Sequence, residues 1–134
     1  MIPVLIGLSL FLGQPTISTK GLKTKESQII YLIQPKLGIE YANKLDRIIK
    51  KASKKEKIDS DIILSTAYVE SEFNPKSGPQ KGVMQLTRKL GKSHKREDYT
   101  KLDGNVIIGA RYLKELRGDL SSRGSLDRMW ERYG

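Results

Sequence analysis

The segment 67–75, "AYVESEFNP", places a carboxylate near the end of an apolar stretch. A helix through it must end near Asn74, because proline disfavours helical geometry in the residue before it. Glu70 then lies in the last turns, and its neighbours one turn back, Ala67 and Thr66, carry no positive charge. Partial burial and the negative end of the helix dipole both favour a protonated carboxyl. Such an environment suits a general acid, and the alternative is a surface glutamate at a fraying helix end.

The second candidate segment is "KGVMQLT", residues 81–87, in which Gln85 lies fifteen residues after Glu70. Gly82 allows close backbone approach, and the amide of Gln85 offers both donors and acceptors to sugar hydroxyl or acetamido groups. The other acid of the first segment, Glu72, is predicted to face solvent.

Two amphipathic helices are predicted to position these groups. Apolar residues recur at three- and four-residue steps from Ala42 to Ala52, which predicts a helix of about four turns. Asp59, Ser60 and Asp61 offer capping oxygens for the next helix. The predicted apolar face of that helix carries Ile62, Thr66, Val69 and Phe73, with Ile63, Ala67 and Glu70 on the adjoining face.

The C-terminal half continues the helical pattern. The stretch "RKLGKSHKREDYTK" is predicted to be a basic loop, and "DGNVIIGARYLKELRG" a helix with Val106, Ala110 and Leu113 on one side. No β-alternation of any length appears, so the predicted fold is all-α with short loops. A last helical pattern runs through Leu126, Met129, Trp130 and Tyr133.

Composition sets limits on the class of protein. The 134 residues suit one domain, and 25 basic against 15 acidic residues give a formal charge of +10. This charge favours polyanions: nucleic acid, anionic lipid or an acidic cell-wall polymer. With no cysteine, the fold uses neither disulfides nor thiolate metal sites. The single histidine, His94, is predicted to lie in a solvated loop, so no histidine metal cluster is expected.

The chain opens with an apolar run from residue 2 to 12, "IPVLIGLSLFL". It is shorter than the roughly 17–25 residues of a spanning helix, lacks a preceding basic residue, and has Phe11 where a cleavage site needs a small side chain. Basic residues follow it instead, at Lys20, Lys23 and Lys25. The open interpretations are a signal, a short anchor with membrane contact by residues 2–12, a segment buried against a partner, and an apolar tail.

A polar stretch, "GQPTISTKGLKTKES", is interpreted as a linker, and the run "QIIYLIQ" that follows as a short helix or a strand. The predicted division is an N-terminal segment and linker over 1–38 and a domain over 39–134.

The order of the motifs resembles the soluble lytic transglycosylase catalytic domain, a lysozyme-like fold that cuts peptidoglycan glycan strands. "ESEFNP" is similar to the family's Glu-Ser-x-Phe-Asn-Pro signature, "GVMQL" to its Gly-Leu-Met-Gln element, and "DGNVIIGARYLKEL" to its Asn-Ile-x-x-Gly-x-x-Tyr-Leu helix. The resemblance implies that Glu70 is the sole catalytic acid. It assigns Ser71, Gly82, Met84, Gln85 and Tyr133 to substrate binding, and Phe73, Asn105, Gly109 and Tyr112 to structural support.

The sequence departs from the family pattern in three places. The family's late Ala-Tyr-Asn-x-Gly element is replaced by "MWERYG", in which Tyr133 is the nearest counterpart of the tyrosine. The loop between Glu70 and Gln85 is shorter than usual, and Arg88 stands where proline is common. The expectation is either a domain that is incomplete at its C-terminal end and completed by other polypeptides, or a variant whose groove is open on that side.

The resemblance implies one chemistry and leaves alternatives open. Glu70 would protonate the glycosidic oxygen and then deprotonate the muramoyl C6 hydroxyl, giving a 1,6-anhydro product without a second carboxylate, a metal or an organic cofactor. The alternatives are a goose-type hydrolase, a non-catalytic wall-binding subunit, and a basic nucleic-acid-binding protein with lysine clusters at 50–57 and 88–96.

The expected substrate is the peptidoglycan glycan strand, and the expected location is the cell envelope, the periplasm or a phage virion. By analogy, the domain would be a wall-opening module of a virion or of a conjugation or secretion apparatus, in contact with other subunits.

Overall fold

Helix α2, Gly38–Glu56, is the central element of the computed structural model, which describes residues 20–77 and 81–121. Its length of 19 residues slightly exceeds the predicted four turns. The predicted apolar face is confirmed, because Ala42, Leu45, Ile49 and Ala52 are all buried in the core. Lys54 and Lys55 lie in the last turn, where positive charge opposes the negative end of the helix dipole.

The described residues form four further helices: α1, Lys25–Ile33; α3, Ser60–Ser71; α4, Arg88–Ser93; and α5, Leu102–Ser121; a 3₁₀ turn, Pro35–Leu37, joins α1 to α2. Helices α2 and α5 pack against each other, as do α2 and α1, and α3 contacts both α2 and α5. No strand occurs in residues 20–77 and 81–121, which confirms the all-α fold class.

Helix α1 corrects the linker interpretation at its C-terminal end. Thr24 caps the helix by accepting from Ser27 N at 2.9 Å, and its hydroxyl donates to Asp46 of α2 at 2.9 Å. Ile30 is fully buried in the same core as α2. Residues 25–33 therefore form part of the packed unit, while the proposed boundary at residue 38 stays a prediction.

Helix α5 confirms the pattern predicted for it. Val106, Ala110 and Leu113 are fully buried, and Ile108 is buried beside them. The predicted last helix through Tyr133 lies outside the described residues, as does the apolar run 2–12. Within the described part of the chain, none of the helices has the length and apolar character needed to cross a membrane.

A charged cluster, here called the Arg111 cluster, joins α5 to α2 and to the segment after α4. Arg111 donates to Glu56 at 3.0 Å, to Glu97 at 2.7 Å and to Nδ1 of His94 at 3.1 Å. The hydrogen bond from Arg111 is the main reason why the pKa of Glu97 is lowered. The prediction of a solvated loop at His94 is corrected, because this side chain is half-buried against Arg111.

The predicted basic loop is also corrected in part, since Arg88–Ser93 form α4. Thr87 caps this short helix by accepting from Leu90 N at 3.1 Å. Gly91 is buried, and a Cβ there would collide with the ring of Tyr99. Packing of Gly91 against Tyr99 therefore orders a segment whose composition alone indicates a solvated loop.

Candidate active site

Glu70 lies in the last turn of α3, and the helix ends one residue later, at Ser71. Asp59 is the N-cap of α3, as predicted, and its carboxylate accepts from Asp61 N at 2.9 Å. Thr66 and Ala67 are fully buried one turn before Glu70. The helix therefore holds Glu70 at the edge of the core.

The turn after Glu70 has an unusual backbone. Glu72 and Phe73 both adopt positive φ, at 50° and 65°, a region that residues other than glycine seldom occupy. Glu72 caps the helix, with its N–H bonded to the carbonyl of Tyr68 at 2.8 Å. The turn brings the Phe73 side chain into the core, where it is 1% exposed, and leaves Glu72 exposed, as predicted.

This turn also corrects one part of the predicted apolar face. Val69 is 67% exposed, although it was predicted to share a buried face with Phe73. Phe73 is buried because the chain leaves the helix after Ser71, so helical spacing does not apply to it.

Two hydrogen bonds fix this turn. The Tyr41 hydroxyl of α2 donates to the Phe73 carbonyl at 2.6 Å, and burial raises the pKa of Tyr41. The Ser71 hydroxyl lies 2.7 Å from the Val83 carbonyl. Tyr41 therefore ties the turn to α2, and Ser71 ties it to the glutamine segment 81–85.

The glutamine segment is held from its other side by α5. The side chain of Asn105 accepts from Met84 N at 2.8 Å and donates to the carbonyls of Lys81 at 3.0 Å and Tyr99 at 3.1 Å. Gly82 has φ +65°, and a Cβ there would lie 2.5 Å from Asn105. Glycine is thus required by both conformation and space.

The remaining predicted residues of this segment differ in exposure. Met84 is fully buried, and a Cβ on Gly109 would lie 2.8 Å from its Cγ, so Gly109 makes room for it. Gln85 is half-buried, and its amide nitrogen donates to the carbonyls of Ser77 and, at 2.9 Å, Gly82. Tyr112 is partly buried against the core.

An open cleft of about 320 Å³ lies around Glu70, as formed by the described residues. Burial raises the pKa of Glu70, and no ion pair to it occurs in the described part of the chain. Gln85 contacts Ser77, which lines this cleft, so the structure brings the acid and the glutamine segment together. The lining residues are Tyr68, Val69, Glu70, Ser71, Glu72 and Ser77.

Comparison with known proteins agrees with this arrangement. The family described as "Transglycosylase SLT domain" matches residues 47–129, which is more than half of the chain. The chain belongs to the SLT domain family. The match spans the acid, the glutamine segment and helix α5, and it agrees with the lysozyme-like all-α fold implied by the motifs.

The SLT domain is also similar to a curated protein, the membrane-bound lytic murein transglycosylase F of Saccharophagus degradans. The two are 33% identical over 86 residues, which covers 61% of this chain and 17% of that protein. The chain thus spans about a sixth of the relative's length. No solved structure matches the chain.

Sequence reasoning assigned no role to two residues that contribute to this site. Tyr68 is 45% exposed, lines the cleft, and lies with its ring centroid 6.0 Å from that of Phe73. Tyr41 contacts the turn from 32 positions away in the sequence. An exposed aromatic beside the acid is a usable sequence signal for Tyr68, whereas nothing local indicates the contact of Tyr41.

Proposed function

We propose that this SLT domain is a peptidoglycan lytic transglycosylase and that Glu70 is its sole catalytic acid and base. The observation that carries the proposal is the state of Glu70: a carboxyl without a cationic partner among the described residues, with a pKa raised by burial, in an open cleft. Family membership and the lytic murein transglycosylase of S. degradans to which the chain is similar support the substrate class.

The proposed reaction begins at the β-1,4 bond between N-acetylmuramic acid and N-acetylglucosamine. Protonated Glu70 donates its proton to the glycosidic oxygen, and the bond from that oxygen to the muramoyl anomeric carbon breaks. The positive charge that develops on this carbon is stabilised by the acetamido group of the same sugar. One protein carboxyl is then enough for bond cleavage, where most glycosidases use two.

The second step regenerates the acid. Glu70, now a carboxylate, takes the proton from the muramoyl C6 hydroxyl as that oxygen bonds to the anomeric carbon. The products are a 1,6-anhydromuramoyl end and a free N-acetylglucosamine end, with no net consumption of water. A raised pKa assists both steps, because the acid is protonated at the start and its conjugate base accepts a proton readily.

The described contacts indicate different roles for the residues around Glu70. Tyr68 and Val69 offer exposed apolar surface against which a sugar ring can pack. The side-chain oxygen of Gln85 receives no hydrogen bond from any described residue, so it is left to accept from a substrate hydroxyl or amide. Asn105 and Gly109 position the glutamine segment against α3, together with Met84, whose full burial favours a support role over the substrate binding that the resemblance implies. Ser71 both lines the cleft and bonds to Val83 of that segment.

Mass spectrometry of the soluble products from purified sacculi, treated with the full chain, tests the proposal. We expect muropeptides with 1,6-anhydro ends, lighter by one water than reducing ends and unchanged by borohydride. Reducing ends that borohydride converts to alditols would instead show hydrolysis. Retention of a folded chain on sacculi without any soluble product would favour a wall-binding subunit and contradict the enzymatic proposal.

A further inference from the structure

We propose that a basic surface on α2 and the start of α5 docks the domain on a membrane of anionic phospholipid. Two adjoining clefts of about 690 and 600 Å³ share Lys44 and Arg47 and so form one continuous surface. The surface, here called the basic strip, carries Lys23, Lys44, Arg47, Lys51 and Lys101.

Three cations of the strip lie on one face of α2, and a fourth lies at the start of α5. Lys44, Arg47 and Lys51 follow one another at steps of three and four residues, so they project from one face of α2. Lys101 approaches from the segment that begins α5. All five cations are exposed, and the apolar side chains of Ile48 and Leu102 lie between those of the larger cleft. Long basic side chains over apolar surface suit the boundary between lipid headgroups and water.

The five cations of the strip are not held in ion pairs by the described residues, although the charge of Lys101 helps to lower the pKa of Asp98. Other lysines of α2 are paired: Lys50 contacts Glu26 at 2.9 Å, and Lys55 contacts Glu97 at 3.6 Å. None of the strip cations forms an ion pair with any residue of 20–77 or 81–121. Two acids, Glu40 and Asp103, line the clefts as well, so the strip keeps an excess of positive charge.

Chain order favours a membrane as the anionic partner. Ten residues separate the apolar run 2–12 from Lys23, and ten extended residues reach at most about 35 Å. Stable attachment to a bilayer takes two signals, such as one acyl chain and a basic patch, and in this proposal the apolar run takes the place of the acyl chain. Each basic residue near an anionic surface strengthens partitioning by about fivefold.

Tyr41 is the aromatic that lines these clefts, and its hydroxyl is bound to Phe73, so the strip offers little for stacking nucleic-acid bases.

The strip and the candidate active site are separate surfaces. No residue lines both the basic clefts and the cleft of Glu70. A domain docked through the strip would therefore keep Glu70 open to a glycan strand.

Sedimentation of the full chain with vesicles tests the inference. One set of vesicles contains phosphatidylglycerol and phosphatidylcholine, and the other contains phosphatidylcholine alone, so that the apolar run contributes equally to both. Two triple glutamine variants are compared, each of which lowers the formal charge from +10 by three, to +7. The strip variant carries Lys44→Gln, Arg47→Gln and Lys51→Gln, and the matched control carries Lys54→Gln, Lys89→Gln and Lys92→Gln at exposed positions outside the strip.

We expect the wild type to bind the anionic vesicles more tightly than the neutral ones, and added salt to reduce the difference. The strip variant should lose between about tenfold and a hundredfold of the anionic component, while the control keeps most of it. Equal losses in the two variants would show that only net charge matters, and equal binding of wild type to both vesicles would assign the contact to the apolar run. Either result overturns the inference. So does a strip variant that binds vesicles normally but loses retention on duplex DNA or on sacculi. The Glu70→Gln variant should bind as wild type, so the outcome does not depend on the proposed catalysis.

Discussion

Glu70 and the Arg111 cluster place the same kind of side chain in two opposite environments. Glu70 is partly buried without a cation among the described residues, and its pKa is raised by burial. Glu97 is 10% exposed, accepts a hydrogen bond from Arg111 at 2.7 Å, and has a lowered pKa. Burial favours the protonated form of Glu70, whereas the guanidinium of Arg111 favours the ionised form of Glu97, which holds α5 to the segment after α4.

The difference shows that the presence of a cationic partner, and not burial alone, decides the direction in which the pKa of a carboxyl shifts. Burial penalises the charged form in both places, but only Glu97 has a guanidinium that outweighs the penalty. A carboxyl left without such compensation costs stability, and carboxyls of this kind cluster at functional sites, which agrees with the proposed role of Glu70. The backbone agrees, because two consecutive residues with positive φ, Glu72 and Phe73, begin two positions after Glu70.

The largest expected effect comes from removing the acid of Glu70. Glu70→Gln should reduce muropeptide release by about 10²- to 10⁴-fold, because the amide can neither donate the proton nor take it back. Release from purified sacculi, normalised to folded protein by circular dichroism, measures the effect.

Glu72→Gln is the matched control, since Glu72 lines the same cleft two residues away. It should stay within about threefold of wild type, because a single-carboxyl mechanism leaves no proton transfer to Glu72. A loss as large as that of Glu70→Gln would mean that two carboxyls act, and the anhydro-forming mechanism would have to be abandoned.

The next-largest effect comes from removing Arg111, the cation that pairs with the carboxylates of Glu56 and Glu97. Arg111→Met should lower the free energy of unfolding by about 1–3 kcal/mol, because Glu56 and Glu97 then lie partly buried without the guanidinium. Denaturant titration measures the loss, and Arg117→Met, at an exposed position on the same helix, serves as the control. Release per folded molecule should not change; a selective loss of activity at full stability would place Arg111 in the active site.

A smaller effect tests the support of the turn that follows Glu70. Tyr41→Phe removes the hydrogen bond to the Phe73 carbonyl and should cost about 1 kcal/mol of stability. Because this turn fixes the end of the helix that carries Glu70, muropeptide release should fall severalfold while binding to sacculi is kept. Tyr31→Phe removes a hydroxyl that bonds to no described residue, so it should change neither quantity. Equal behaviour of the two variants would show that the Tyr41 contact does not position the acid.

Local patterns in the sequence predicted much of this fold. Three features follow from residue spacing within a single helix and can be predicted without tertiary information. They are the buried face of α2, the cap at Asp59 and the apolar side of α5. The ordered motifs likewise identified Glu70 and the glutamine segment, which the structure brings together through Ser71.

The features that were missed depend on contacts between distant residues. Val69 is exposed because it lines the open cleft beside Glu70. Phe73 is buried because the chain leaves the helix at Glu72, and the positive φ of these two residues has no sequence signature. The hydrogen bond from Arg111 to Glu56 joins positions 55 residues apart. No periodicity in the sequence encodes a pairing of this kind. The Arg111 cluster, which stabilises the charge of Glu97 but not that of Glu70, was therefore not predicted.

The smallest effect is also the sharpest form of the comparison, because the two carboxyls should give opposite slopes of stability against pH. For Glu70 the folded pKa lies above the ordinary value of 4.5, so the native state holds the proton more tightly than the unfolded chain. Wild-type stability from this group is complete below pH 4.5 and is lost as pH rises through the raised pKa. Glu70→Gln has no charge to bury, so it should gain stability relative to wild type between pH 4 and pH 7.

For Glu97 the folded pKa is lowered, so its contribution is present above the ordinary value of 4.5 and is lost as pH falls through the folded value. The stability lost in Arg111→Met should therefore become smaller in acid, and so should the stability gained in Glu70→Gln. When the free energy of unfolding is plotted as variant minus wild type, the Arg111→Met curve then rises as pH falls, and the Glu70→Gln curve falls. Thermal unfolding of both variants and wild type from about pH 3 to pH 7 measures the curves. A Glu70→Gln variant that becomes less stable than wild type as pH rises would show that the Glu70 carboxylate has a cationic partner, and the contrast between the two regions would be lost.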